Sequence, residues 1–371
     1  MSSDCEKKLR TGFTTGAAAA AAVKGALQYL LTGHFPPKVN IPLLTGQIIA
    51  IHIHTCRAES ESKAVCTVIK DAGDDPDITH KAEIGAVVEI SDDFSDSTEI
   101  RITGGEGVGR VTKPGLEVAP GNAAINSGPQ KMIQQAVTDV LNSHYRKALV
   151  SIEIFVPKGK DLAKKTLNAR LGILDGISIL GTTGLVRPMS HEAYIATIVS
   201  AMSVAHAAGL QQLILTTGRR SERFAQARWP QLPEEAFVQI GDFFQKSLQT
   251  ASEKGFEKIR LAVFFGKALK MALGFPHTHA AKSELTLHRL SKWALEIIGN
   301  QEVAETISHA NTARHAFEMI SAQYPQLIAY VGKQMMASAK NFSSPSLYVQ
   351  GMIFDFEGNP VYDSEKGEDL P

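Results

Sequence analysis

Cysteine is scarce in this chain, and so are aromatic residues, an excess of either charge, and long apolar runs. Three cysteines in 371 residues, Cys5, Cys56 and Cys66, form no Cys-x-x-Cys pair and no even framework, which excludes a disulfide scaffold and points to a reducing compartment. Lysine plus arginine equals aspartate plus glutamate at 38 each, so no net field draws the chain to nucleic acid or a membrane surface. No apolar stretch reaches membrane-spanning length, and residues 2–8 have no apolar signal core. These absences leave a cytoplasmic protein with a small-molecule partner. A hydrophobic content of 44% over this length predicts two packed domains rather than one.

What is abundant is glycine and proline between residues 104 and 129. Such density predicts a loop built around something, because glycine lets a backbone approach a ligand with no side chain between, and structureless loops this long are usually functional. The phosphate readings fail in detail. Gly104 to Gly109 is followed by Arg110 and Val111, where a P-loop needs lysine and a hydroxyl. The dinucleotide pattern fails because Arg110 stands where its third glycine should be. Gly104, Gly105, Gly107 and Gly109 therefore become candidate cofactor-binding residues as a backbone wall whose glycines leave space open.

The order of elements differs between the two halves. Thr14 or Thr15 caps an alanine helix from Ala17 that ends before Gly33, and the amides at its start suit an anion. Strands are expected at 39–44 and 47–55 as a hairpin, then at 64–70, 85–91, 99–103 and 149–156, with one helix over 129–145. Beyond a short apolar strand at 177–180, strand and helix alternate. Helix 190–209, strand 213–215, strand 237–240, helix 242–254 and strand 259–264 imply a parallel sheet with helices on both faces. The fold class expected is an α+β N-terminal domain plus a smaller Rossmann-like α/β domain with a mainly parallel sheet. The domains run 1–188, joined by a C-terminal hairpin in 345–371, and 189–344.

Four chemistry-bearing clusters follow. Asp71, Asp74, Asp75 and Asp77 crowd seven residues, which suits a cation or a raised carboxyl pKa, or equally a turn that caps its own backbone. His277 and His279 flank Thr278 in a loop without an obvious third ligand, so no metal site is expected and the histidines serve a ligand or a helix cap. Arg219, Arg220 and Arg223 follow the strand 213–215, while Lys158, Lys160, Lys164 and Lys165 follow the strand 149–156. Both groups suit a polycarboxylate or a solvated face. Cys56 and Cys66 read as small packing residues.

Arg10–Gly16, Asp71–Asp77, Gly104–Leu116, Ala124-Ile125-Asn126, Leu162–Asn168, Ile177–Gly184 and His277-Thr278-His279 resemble, in order, the CbiD family. The chain departs from its pattern at Ala18, where a cysteine is frequent, near Thr217, where a proline is frequent, and at Ser127 and Gln130, in place of a proline and an arginine. The resemblance implies a cobalt-precorrin-5B C1-methyltransferase of anaerobic cobalamin biosynthesis. It implies S-adenosylmethionine as methyl donor, a cobalt-containing tetrapyrrole polycarboxylate as partner, and transient contact with neighbouring pathway enzymes. On that basis Asp71, Asp74, Asp75, His277 and His279 are the catalytic candidates. Thr182, Thr183, Gly184, Thr216, Thr217 and Gly218 join the glycines as cofactor-binding candidates. Asp74→Asn and Gly107→Val are expected to lower activity in a folded chain. Two rival classes remain, a non-catalytic tetrapyrrole carrier and a small-molecule kinase, separated by methyl transfer and by ATP turnover.

Overall fold

The structure is a computed structural model that describes residues 9–91, 97–279 and 283–366. Cys5 lies outside the described residues. The chain divides into two compact units, residues 1–191 and 192–371, and each is a mixture of helices and sheet.

In the first unit the elements are β1 (Gly12–Phe13), α1 (Thr15–Thr32), β2 (Lys38–Pro42), β3 (Ile48–His52), β4 (Thr55–Ala58), β5 (Lys63–Ile69), β6 (Glu83–Ser91), β7 (Glu99–Gly104), β8 (Arg110–Val111), α2 (Ser127–Ser143), β9 (Leu149–Phe155), α3 (Gly159–Ala163), β10 (Ile173–Leu174) and β11 (Leu185–Val186). The main sheet has the order β4-β5-β6-β9-β7, antiparallel except for the parallel pair β7 and β9. Ala17 to Ala22 are all fully buried, because methyl-sized side chains let α1 lie close against the sheet and α2 at once. Thr14 caps α1 by accepting the Ala17 N–H at 3.2 Å.

Three expectations are corrected here. The segment 177–180 forms isolated bridges, Val108 with Ile177 and Ile125 with Ile179, rather than a strand, because its backbone is shared between two loops. The start of α1 is not an open anion site, since Gly16 donates to the Leu180 carbonyl at 3.1 Å and the Thr15 hydroxyl accepts the Leu180 N–H at 2.8 Å. Cys56 and Cys66 stand directly opposite each other on β4 and β5, with Cα atoms 4.1 Å apart, and their sulfurs are joined. Cross-strand register, invisible in a spacing of ten residues, makes that pair.

In the second unit α4 (His191–Ala207), β12 (Gln212–Thr216), α5 (Arg219–Arg228), β13 (Phe237–Gln239), α6 (Phe244–Glu253), β14 (Lys258–Phe264), α7 (Phe265–Ala272), α8 (Ser283–Ile298), α9 (Gln301–Ser308), α10 (Ala313–Ile320), α11 (Pro325–Phe342), β15 (Tyr348–Phe354) and β16 (Pro360–Asp363) follow. The sheet order is β13-β12-β14-β15-β16, with the first four strands parallel and β16 antiparallel. Leu213, Leu215, Val238, Leu261 and Val263 face a core built with α4, α6, α7 and α11. Ile214, Phe237, Ala262, Met352 and Phe354 face the other side, against Ala225 of α5.

The C-terminal hairpin is the fourth correction: β15 and β16 complete this second sheet, so the hairpin is part of the second unit. Val349 to Phe354 are buried without interruption, which is what a strand covered on both faces requires and what a surface hairpin would not show. Among the described residues no helix is long and apolar enough to cross a membrane.

Candidate functional site

The acidic turn is closed on itself. Arg10 grips both Asp71 oxygens, its Nη2 at 3.0 Å from Oδ1, and Asp71 also accepts the Gly73 N–H at 2.9 Å. The Arg10 bond, together with that charge, holds the Asp71 carboxyl below its ordinary range. Asp74 accepts the Arg10 backbone N–H at 2.6 Å, and Asp75 accepts the Met189 N–H at 2.9 Å. Asp77 meets Lys70, whose side chain is 1% exposed, at 2.5 Å. Burial pushes the Asp77 carboxyl up, but the Lys70 charge and bond, with Thr79, leave it below its ordinary value. Among the described residues no group of three or more histidine, cysteine or acidic side chains is placed to hold a metal ion.

The glycine stretch is packed against the chain's own atoms. A Cβ on Gly104 would meet the Ala123 side chain at 2.6 Å, and one on Gly105 would meet the Glu153 carboxylate at 2.5 Å. At Gly107 it would collide with the Val156 carbonyl oxygen, and at Gly109 with Ile173. Gly107 also has a φ of +70°, and Gly159 and Gly176 crowd its carbonyl from two sides. These glycines permit a three-way backbone crossing. The expectation that Gly107→Val leaves the chain folded is therefore corrected: a branched side chain there meets backbone, which cannot swing away. Thr182, Thr183 and Gly184 lie beside the start of α1, with the Gly184 carbonyl accepting the Thr14 N–H at 2.9 Å and the Thr183 hydroxyl turned onto Leu185 at 3.2 Å.

The second unit gathers a different set. The chain runs from β12 through α5 to β13 on one side, then returns through α6 to β14 on the other side of β12. That reversal is a topological switch point, and ligands of open α/β sheets bind outside the strand C-termini at such a point. Here the C-termini carry Thr216-Thr217-Gly218 after β12, Gly241 and Asp242 after β13, and Lys267 and Lys270 after β14.

Thr216 is fully buried, and its hydroxyl has no hydrogen-bond partner among the described residues. Gly218 opens α5 without a side-chain cap, and a Cβ added there would meet nothing within 4 Å. Lys267 bonds Asp242 across the end of β12, and the Thr278 hydroxyl adds a bond to Asp242 at 3.1 Å. Burial pushes the Asp242 carboxyl up, but the Lys267 bond and charge, with Thr278, hold it below the ordinary range. Tyr194 of α4 packs tilted against Phe243, ring centres 5.2 Å apart, and burial, then the charges of Asp242 and Glu222, push its hydroxyl pKa up. His277 meets Phe243 edge-on at 5.3 Å, while the His279 carbonyl accepts from Lys270 at 3.0 Å.

Of the residues expected from sequence, the structure places Thr216, Thr217 and Gly218 at the C-terminal end of β12, and His277 and His279 in the loop after α7 whose Thr278 bonds Asp242. It places Asp71, Asp74 and Asp75, the four loop glycines and Thr182 to Gly184 in the first unit. Sequence reasoning passed over Tyr194, Asp242, Lys267 and Lys270. The available signal was position for Asp242, Lys267 and Lys270, which stand just past an apolar strand or on the helix that follows, whereas Tyr194 lies on the helix before the first strand of the sheet.

Residues 2–188 match the family model CbiD, and residues 277–365 match the model described as CbiD, C-terminal domain. A relative from Priestia megaterium named cobalt-precorrin-5B C(1)-methyltransferase is 44% identical over 85% of this chain and 84% of its own. Another of the same name, from Pelobacter propionicus, is 40% identical over 99% of both chains. A crystal structure titled cobalamin biosynthesis protein (cbiD) from Archaeoglobus fulgidus is 27% identical, covering 72% of this chain and 81% of that one, with a TM-score of 0.40.

Proposed function

The chain belongs to the CbiD family, and from that membership we propose that it methylates C1 of cobalt-precorrin-5B, with S-adenosylmethionine as donor, in anaerobic cobalamin biosynthesis. The observation that carries this reading is a relative of that name aligned over 99% of both chains. The second unit is Rossmann-like, and its strand-end crevice is the donor site. Two features of this chain fit such a ligand: the orphaned hydroxyl of buried Thr216 and the open cradle above Gly218.

S-adenosylmethionine supplies the methyl group on a sulfonium and departs as a neutral thioether. The protein's own share is to position and to exclude water, because alignment of donor and acceptor can provide several orders of magnitude in rate without a protein nucleophile. Thr216, Thr217 and Gly218 shape the cradle, with the first-turn amides of α5 beside it. His277 and Tyr194 wall it with rings, and His279 fixes the loop that closes onto Lys270. Arg219, Arg220 and Arg223, which form no ion pair among the described residues, suit the carboxylate arms of the macrocycle. Asp71, Asp74, Asp75, Thr182, Thr183 and Gly184 shape loops of the first unit. Gly104, Gly105, Gly107 and Gly109 serve that unit by close packing.

Anaerobic incubation with S-adenosylmethionine labelled in its methyl group and cobalt-precorrin-5B tests the reading. It predicts a mass gain of one methyl group at C1. An unchanged substrate, with folded protein and an active control preparation, contradicts it. Ligand binding without transfer would instead mark a carrier.

A further inference from the structure

The charges at the strand ends of the second unit do not balance. Lys267 lies in the first turn of α7 and Lys270 in its last, so the positive end of the helix disfavours Lys267 alone. Three positions apart, they share one helix face, and both ammonium groups reach the same Thr278 carbonyl, at 3.1 and 3.3 Å. Between them stands one carboxylate, Asp242, which bonds Lys267. The other partner of Lys270 is the His279 carbonyl at 3.0 Å, and no carboxylate among the described residues is within ion-pair distance of it. Neutral carbonyls satisfy N–H groups but leave the charge standing. Burial, and then the charge of Lys267, hold the Lys270 pKa below the ordinary lysine value despite the opposing pull of Asp242. Two ammonium groups gathered on one carbonyl, half out of water and with one carboxylate beside them, break a local rule, and such breaks cluster at functional sites.

We propose that Lys270 is the seat of a ligand carboxylate, which completes a set of two cations and two anions with Lys267 and Asp242. The seat follows β14, the strand next to β12, whose C-terminal end carries Thr216 and Gly218. The identity of the ligand rests on the methyl-transfer reading, which offers two carboxylate sources: the amino-acid end of the donor and the side arms of the macrocycle. A lysine that only staples the loop of residues 277–279 would stabilise the fold and ignore the ligand's charge.

Calorimetric titration of the full chain separates these cases. The probes are S-adenosylhomocysteine, 5′-methylthioadenosine, which lacks the amino-acid carboxylate, and cobalt uroporphyrin, a stable cobalt macrocycle with carboxylate arms. If the donor supplies the carboxylate, wild type prefers S-adenosylhomocysteine to 5′-methylthioadenosine by about tenfold or more, and Lys270→Met abolishes the preference. If the macrocycle supplies it, Lys270→Met weakens cobalt uroporphyrin by about tenfold and spares both nucleosides. Lys270→Arg retains the charge and most of the affinity in either case. Unchanged affinities in Lys270→Met, or an equal loss for all three probes, overturn the proposal.

Should Lys270→Met fail to fold, wild type alone decides. A bound carboxylate raises the Lys270 pKa, so binding of the preferred probe takes up protons on the alkaline side, below the ordinary lysine value. Tyr194, Asp242, Lys267 and His279 are the other titratable groups around it, and Lys267 is already paired. Titrations in buffers of different ionisation enthalpy read the uptake, and none at any pH overturns the proposal. Methyl transfer that persists in Lys270→Met with carboxylate discrimination intact sinks the seat while sparing the methyltransferase reading.

Discussion

The glycine wall of the first unit and the strand-end crevice of the second are both dense in residues that a sequence reader would mark, yet they differ in one respect. In the first, the glycines and the acidic turn meet atoms of the chain itself: carbonyls crowd Gly107, and Arg10, Met189 and Lys70 hold the carboxylates of the acidic turn. In the second, a buried hydroxyl has no partner among the described residues, a helix starts uncapped over open space, and two lysines meet on one carbonyl while a carboxylate pairs with one of them. Rarity of composition marks a constraint on the backbone. Groups left unsatisfied mark a place for a ligand.

The strongest way to break this contrast is Gly107→Val. A side chain at a φ of +70°, driven into the Val156 carbonyl, is expected to cost about 3 kcal/mol or more of stability. Thermal unfolding of the full chain checks it, and a variant that melts like wild type would return the loop to the list of open ligand walls.

Asp77→Asn comes next. It leaves the Lys70 ammonium, 1% exposed, facing a neutral amide, at a cost of about 2 to 3 kcal/mol near neutral pH. Because the folded Asp77 pKa lies below 3.8, the wild-type advantage is complete above that value and is lost as the pH falls through the lower folded one. Denaturant titrations at descending pH should show the two proteins converging. A gap that stays constant down to acid contradicts an ionic origin.

In the second unit the expected effects on stability are smaller and those on ligand larger. Asp242→Asn strips from Lys267 its one carboxylate partner among the described residues, costing about 1 kcal/mol, since both partners are partly exposed. S-adenosylhomocysteine affinity is expected to hold or rise, because the surplus positive charge grows. A collapse of binding would instead make Asp242 a direct donor contact. Gly218→Ala is the mildest: its extended backbone suits any residue and the new methyl meets nothing, so stability should stay within about 0.5 kcal/mol. Binding, however, should weaken. Equal affinity for the donor in this variant would move the cradle elsewhere.

Much of the fold was legible because it rests on short-range signals. The alanine run, Thr14 and Gly33 mark α1, and the alternation in 213–264 gives the parallel strands. What was not legible depends on pairing between distant segments. The apolar run of 349–354 reads equally as a hairpin arm or a central strand until its neighbour β14 is known. Cys56 and Cys66 meet only through the register of β4 on β5. In the candidate crevice His277, His279 and Thr216 to Gly218 stood out by type or by turn. Asp242 and Lys267 did not, since a lone acid and a lone base 25 residues apart look like solvated charges until two strands bring them across the end of a third.

Hydrogen exchange of the full chain, with and without S-adenosylhomocysteine, tests most directly whether the donor sits at the strand ends of the second unit. Slowed exchange is expected in residues 216–222 and 265–272, with residues 104–109 unchanged because the backbone crossing already protects them. Protection appearing at 104–109 while 216–222 exchanges as before would contradict the account.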